Sequence, residues 1–279
     1  NVLHYDMTKK SLAAGKHVVC EKPLATSLTD IDALQIATEM SDGQIFPVFQ
    51  YRWGPELTKL RALIGAGLTG SAHTASIETH WNRGAEYYAV PWRGSWAGEQ
   101  GGAVLGHAIH NHDLLVHLMG PVKRLTAYLT TRINPIETED CASILFELAN
   151  GATATSSVTL GASTDETRIR LVFEHLTATS DSAPYAPGSG TWIFTARDPE
   201  KQADVDACIA NAQAEPIGFK GFFAEVAKAI RNEPSQAVTF EDGAASVELA
   251  TAIYTAARTR AWVDLPLPPN APERKGWQP

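Results

Sequence analysis

Clusters of Lys and Arg are missing from this sequence. With 23 basic against 31 acidic residues, a formal net charge of -8 and a pI near 5.6, it lacks the basic stripe needed to track a phosphate backbone, so nucleic acid is not an expected partner. Cysteine is scarce too: the three present, Cys20, Cys141 and Cys208, are widely separated. They suggest neither a disulfide framework nor a C-x-x-C metal site, and a reducing cytoplasm is the expected compartment. No apolar run approaches the roughly 18 residues that span a bilayer, and the opening NVLHYDMTKK lacks the apolar centre of a secretory signal. No membrane role is expected. What is present is the composition of an ordinary globular protein, 279 residues with 44% hydrophobic and 19% charged, enough for one large core or two modest ones. The chain has no initiator Met and opens directly into a helical pattern, so a fragment of a longer protein is expected.

Asp6 to Ala14 carries apolar positions at helical spacing, Gly15 reads as a stop, and His17 to Cys20 is a short apolar run typical of a buried parallel strand. Glu21-Lys22-Pro23 follows, then a capping region at Thr26 to Asp30, an amphipathic helix through Met40 and a second strand at Phe46 to Gln50. Residues 1–50 thus read as half of a doubly wound sheet. The pattern then changes. Ala72 to Trp81, Arg124 to Thr131, Ala142 to Leu148, Ala152 to Leu160, Arg168 to Phe173 and Trp192 to Ala196 read as strands, with Asn150-Gly151 as a hairpin turn. Strands in succession imply an antiparallel or mixed sheet, so residues 51–279 read as an α+β domain with helices at Gly102 to Met119, Phe219 to Asn232 and Asp242 to Arg260. Ser180 to Gly190 reads as a loop and the tail after Pro266 as extended. A large mixed sheet with one open face points to a homo-oligomer.

Gly65-Ala66-Gly67-Leu68-Thr69-Gly70 spells G-x-G-x-x-G in an inverted setting. A phosphate-cradling loop leads from a strand into a helix, whereas here helical Leu57 to Ile64 precedes and the strand from Ala72 follows, so these glycines read as a helix stop and turn. Glu21-Lys22-Pro23 lies directly after a strand, at the carboxyl edge where open α/β sheets bind ligands; a solvated turn is the plainer account of the same residues. Gly101 to His117 carries four of the nine histidines, and Asp113, behind a glycine pair. His110, Asp113 and His117 share a helical face, while Leu105, Ile109 and Leu118 supply apolar contact. Three readings of this helix stay open: a polar surface, an acid–base group, or a metal-dependent hydrolase or isomerase site using His107, His110, His112 and Asp113, for which no second cluster offers further ligands. In Pro91-Trp92-Arg93-Gly94-Ser95-Trp96, a planar Arg between aromatics suits a phosphate, a carboxylate or a flat ring, and equally suits plain packing.

Taken together, AGKHVVCEKPLA at 14–25, Tyr51-Arg52, PWRG at 91–94 and GGAVLGHAIHNHD at 101–113 resemble the Gfo/Idh/MocA family of oxidoreductases, as do the closing VTFEDG at 238–243 and VDLPL at 263–267. The resemblance covers nearly the whole chain. It implies an α/β plus α+β fold: a partial Rossmann domain over residues 1–50, followed over 51–279 by a mixed, largely antiparallel sheet with helices on one face, which binds substrate and forms oligomers. It implies NAD or NADP as cofactor, and hydride transfer to or from a sugar, a polyol or a similar hydroxylated substrate, with no metal. Lys22 and His110 become the catalytic pair, Lys22 polarising the reacting oxygen and His110 moving its proton with an ordinary imidazole pKa of about 6.5. Glu21, Lys22, Trp92 and Arg93 fall at the nicotinamide end of the cofactor, and Tyr51, Arg52, His107, His110 and Asp113 around the substrate.

Two departures from the family pattern stand out. Many relatives carry an acidic residue four before the helix histidine, where this chain has Gly106, so either His107 or a substrate group compensates or activity is altered. The family's first strand, its phosphate loop and its ribose-reading acid would precede residue 1; the chain alone is therefore expected to bind dinucleotide weakly and to expose apolar faces. The alternative is a substrate-domain remnant that binds a sugar-like ligand or oligomerises without redox chemistry.

Overall fold

In the computed structural model, which describes residues 1–279, the alternating pattern at the start of the chain forms a parallel β-α-β unit. Helix α1 (His4–Ala13) leads through Gly15 into strand β1 (Val18–Cys20), and helix α2 (Leu28–Glu39) carries the chain to strand β2 (Ile45–Pro47). The two strands are parallel, Val18 beside Ile45 and Cys20 beside Pro47. Ser27 starts α2 by accepting the Asp30 N–H at 3.0 Å, satisfying one of the donors that a helix N-terminus leaves open. Leu12 of α1 and Leu28, Ile31 and Leu34 of α2 are buried against this pair, while Leu3, Met7 and Val19 face solvent. β2 is shorter than the sequence pattern predicts. The Val48 N–H makes a last bond to the Cys20 carbonyl at 2.9 Å, and Gln50–Arg52 then closes into a 3-10 turn.

Helix α3 (Pro55–Gly65) and strand β3 (Ala72–Asn82) follow. Between them Gly67 and Gly70 take positive φ, 71° and 66°, as a helix stop and a turn require, so the G-x-G-x-x-G spelling is a helix-to-strand connection. Short helices α4 (Ala85–Tyr88) and α5 (Trp96–Glu99) precede a π-helical turn at Val104–Ala108 that runs into α6 (Ile109–Met119). Next come strands β4 (Val122–Thr130), β5 (Cys141–Leu148), β6 (Thr153–Thr159), β7 (Gly161–Phe173), β8 (Leu176–Thr179) and β9 (Ile193–Ala196). Helices α7 (Gln202–Asn211), α8 (Phe219–Ile230) and α9 (Phe240–Thr259) and the short strand β10 (Val263–Asp264) complete the chain.

These strands build one eight-stranded sheet in the order β10-β4-β5-β6-β3-β7-β8-β9, antiparallel except between β3 and β6, where Thr74 lies beside Thr153 in parallel register. Burial alternates along β5, β6, β8, β9, most of β3 and the second half of β7. Ile77, Ile144, Phe146, Val158, Ile169 and Leu171 point into the core on the side that α6 and α9 cover, and each buried side chain of that size contributes roughly 1.5–3 kcal/mol. Ser76, Tyr128, Ser143, Thr155, Ser157, Arg168 and Arg170 leave the other face open. β7 begins at Gly161 rather than Arg168, because its polar first half is held by pairing with β3, His80 beside Glu166. β8 and α7 escape the sequence pattern because they bury little: Leu176 and Ala178 in β8, and Val205 alone in α7. No helix is long and apolar enough to cross a membrane.

Candidate active site

The carboxyl end of β1 and the start of α6 meet. Lys22, two residues beyond β1, donates from Nζ to the Gly106 carbonyl at 2.6 Å. Gly106 sits in the π-helical turn, a widened geometry that recurs at functional sites. What starts this turn is a buried carboxylate: Glu139 accepts the N–H groups of Gly102 at 3.1 Å and Val104 at 3.0 Å. The Gly102 backbone presses so closely on Glu139 that a Cβ there would collide with its carbonyl, so the glycine is a steric requirement. Glu139 went unrecognised in the sequence because nothing in the acidic run before β5 marks one carboxylate as buried.

His107 and His110 project from this helix start toward Lys22. His110 is buried, stacked on Tyr51 at 4.7 Å between ring centroids with Phe49 edge-on at 5.9 Å, and His107 lies against Trp81 at 5.3 Å and Tyr87 at 5.7 Å. The Nδ1 atoms of both rings are buried without a hydrogen-bond partner, an arrangement that costs about 1–3 kcal/mol for each orphaned group. Burial, reinforced by the nearby Lys22 cation, holds both imidazoles well below their ordinary pKa. This corrects the expectation of an ordinary value near 6.5 for His110, which ignored desolvation. Burial likewise lowers Lys22 to about 8, opposed by the charges of Glu21 and Glu99.

Around these three stands a wall that joins the predicted Trp92 and Arg93 to Arg83, Asp165 and Tyr185, which the sequence did not reveal. Arg83 pairs with Asp165 at 2.9 Å and donates to the Tyr185 hydroxyl at 3.1 Å, its guanidinium lying over the Trp81, Tyr87 and Tyr185 rings. Arg93 lies over Tyr87, 3.7 Å from the ring centre, and over Trp92 at 4.8 Å; its buried Nε has no acceptor. Trp92 is half-exposed and Glu21 exposed.

The remaining sequence candidates turn elsewhere. Arg52 donates from Nε and Nη2 to Asp113 at 2.8 and 2.6 Å and also reaches Asp242 at 3.0 Å, tying α6 to the 3-10 turn and to α9. The helix face predicted to carry His110, Asp113 and His117 together is therefore divided: His110 faces Lys22, Asp113 meets Arg52, and His117 is exposed. His112 pairs with Ser156 at 2.9 Å on the sheet. No three His, Cys, Asp or Glu side chains converge in a way that could hold a metal ion, so the ligand set weighed from the sequence is not assembled.

A parallel β-α-β unit thus presents a lysine at its carboxyl edge, where open α/β sheets bind ligands, beside a helix of the large mixed sheet that supplies histidines. The chain belongs to the Gfo/Idh/MocA oxidoreductase family: residues 1–48 match the family's NAD-binding Rossmann fold and residues 57–179 its C-terminal domain. An uncharacterized oxidoreductase of Synechocystis sp. is 31% identical over 175 residues, 56% of this chain and 46% of the relative. A scyllo-inositol 2-dehydrogenase (NADP(+)) of Bacillus subtilis is 28% identical over 138 residues, 50% of this chain and 38% of the relative. The matches thus span less than half the length of these curated relatives. Among solved structures, the WlbA dehydrogenase from Bordetella pertussis, in complex with NADH and UDP-GlcNAcA, is similar with a TM-score of 0.80 at 29% identity, covering 96% of this chain and 77% of that one.

Proposed function

We propose that the protein is an oxidoreductase that uses NAD or NADP to transfer hydride to or from a sugar, a polyol or a similar hydroxylated substrate, with Lys22 and His110 as the reacting pair. The observation that carries this reading is a Lys22 ammonium hydrogen-bonded only to the Gly106 carbonyl, in the turn that bears His107 and runs into the helix of His110, two buried imidazoles whose Nδ1 atoms lack partners. A substrate hydroxyl seated beside Lys22 would accept from its Nζ. The Arg93 guanidinium without an acceptor, the half-exposed Trp92 ring and the exposed Glu21 fit the nicotinamide end of a dinucleotide. When bound, the nicotinamide supplies or removes the hydride.

This chain's residues move the matching proton. Lys22 donates to the substrate oxygen and favours the alkoxide as charge grows on it. His110 takes the hydroxyl proton in one direction and returns it in the other, and burial keeps its resting imidazole in the form that accepts. The likeness to a dehydrogenase complexed with UDP-GlcNAcA and to an inositol dehydrogenase supports a hydroxylated ring as substrate. The open sheet face is the surface through which the protein forms a homo-oligomer. Its three free cysteines accord with the cytoplasm.

The test is nicotinamide absorbance on the protein expressed from its complete gene, across neutral sugars, polyols and sugar acids. Lys22→Ala and His110→Ala are each expected to lower kcat/KM by about 100-fold or more. Turnover that survives both substitutions would overturn the reading.

A further inference from the structure

We infer that Glu99 is the carboxylate partner of Lys22, standing in the space before Gly106 and holding the lysine charged and oriented toward the substrate. The inference rests on the assignment of Lys22 and His110 to the reaction and adds a positioning residue to it.

Three observations carry it. A side chain at Gly106 would start 3.8 Å from Glu99 Oε1, with no other non-local atom within 4 Å, so the volume that such a side chain would enter already borders a carboxylate delivered by a different element, α5. That carboxylate is fixed: Oε2 accepts the Gly94 N–H at 2.7 Å, Ser95 caps the short helix by accepting the Gly98 N–H at 3.2 Å, and Asn1 Nδ2 donates to the Glu99 carbonyl at 2.5 Å. Oε1 has no protein donor and is not sealed from solvent, so it remains available to the site. Finally, Glu99 is only 7% exposed, whereas Glu21, the other carboxylate acting on Lys22, is exposed and screened.

The groups that face the pair define its electrostatics. Lys22 meets His107, His110, His4 and Glu21; Glu99 meets Arg93, Tyr87, Tyr88 and Tyr254. Burial raises the Glu99 carboxyl, opposed by the Gly94 hydrogen bond and by the Arg93 and Lys22 cations. Lys22 and Glu99 are therefore mutually supporting: each favours the charged form of the other across a gap in which neither bonds the other directly.

The test follows Lys22 itself, by NMR titration of lysines carrying 13C at Cε in the protein expressed from its complete gene, with the Lys22 signal assigned from Lys22→Arg. Glu99→Gln keeps an acceptor for Gly94 and removes only the charge; it should lower the Lys22 pKa by about one pH unit and kcat/KM at neutral pH by about tenfold or more. Gly106→Asp in the Glu99→Gln background, which places a carboxylate in the same space at a position of ordinary backbone geometry, should restore both. A Lys22 titration unmoved by Glu99→Gln in a folded protein overturns the inference, as does a double variant that restores neither quantity. Should the wild-type protein turn over no hydroxylated substrate, the oxidoreductase reading fails, while the titration still decides whether Glu99 governs Lys22.

Discussion

Tyr254 donates its hydroxyl to Glu139 at 2.9 Å. Through this contact α9, late in the chain, holds the carboxylate that receives the Gly102 and Val104 N–H groups and so starts the turn carrying His107. His107 and His110 are thus placed from behind, by groups that make no hydrogen bond to Lys22.

Glu139→Ala is expected to destabilise the protein by about 2–4 kcal/mol, since it orphans two buried N–H groups and a buried hydroxyl, and urea denaturation measures this. The pH dependence has a definite sign. Burial pushes the Glu139 carboxyl up to about 7, above its unfolded value. Its contribution is therefore complete below the ordinary carboxylate range and is lost as pH rises through about 7, by a few kcal/mol in total. Wild-type stability minus that of Glu139→Gln should fall between about pH 5 and about pH 8; a difference that rises instead would mean that the N–H groups, not burial, dominate this carboxylate.

The Arg52–Asp113 pair is buried and bidentate, so removing the Asp113 charge leaves a buried guanidinium with only the more exposed Asp242 to compensate it. Asp113→Asn should cost about 3–5 kcal/mol in chemical denaturation, whereas replacing both residues by apolar ones of similar volume should cost far less. If Asp113→Asn proves as stable as wild type, the pair does not tie α6 to the 3-10 turn.

Arg93 distinguishes cofactor from substrate. Its Nε has no protein acceptor, and Arg93→Ala should weaken NADH binding by about tenfold or more, as expected for loss of a charge-assisted hydrogen bond, while leaving the KM for the hydroxylated substrate nearly unchanged. Calorimetry with NADH and steady-state kinetics separate the two; a change confined to substrate KM would move Arg93 to the substrate side.

Much of this was legible in the sequence wherever one local pattern carried the signal. The helix, glycine and short apolar strand up to Cys20 announce a parallel unit, and the position of Lys22 at its edge follows from that order. Histidines concentrated behind Gly101-Gly102 announce a site, and His107 and His110 do reach Lys22's surroundings. Side-chain direction was not legible. Asp113 shares a helix face with His110 in projection, yet Arg52, on a turn some sixty residues earlier in the chain, claims it. Glu99, Glu139, Arg83 and Asp165 were hidden because their roles come from tertiary contacts: each is a charged residue in an ordinary polar stretch until the sheet closes and removes it from water.

The parallel pairing of β3 with β6 has a consequence for how the site comes into being. Thr74 and Thr153 lie 79 residues apart, and the chain between them contains Arg93, Glu99, His107 and His110. The sheet cannot zip up from local hairpins alone; its central register waits on closure of this long loop, the slow kind of contact in chains of high contact order. Hairpins such as β5–β6 can form early, but the gathering of Arg93, Glu99, His107 and His110 around Lys22 is expected late in folding, when the middle of the sheet locks.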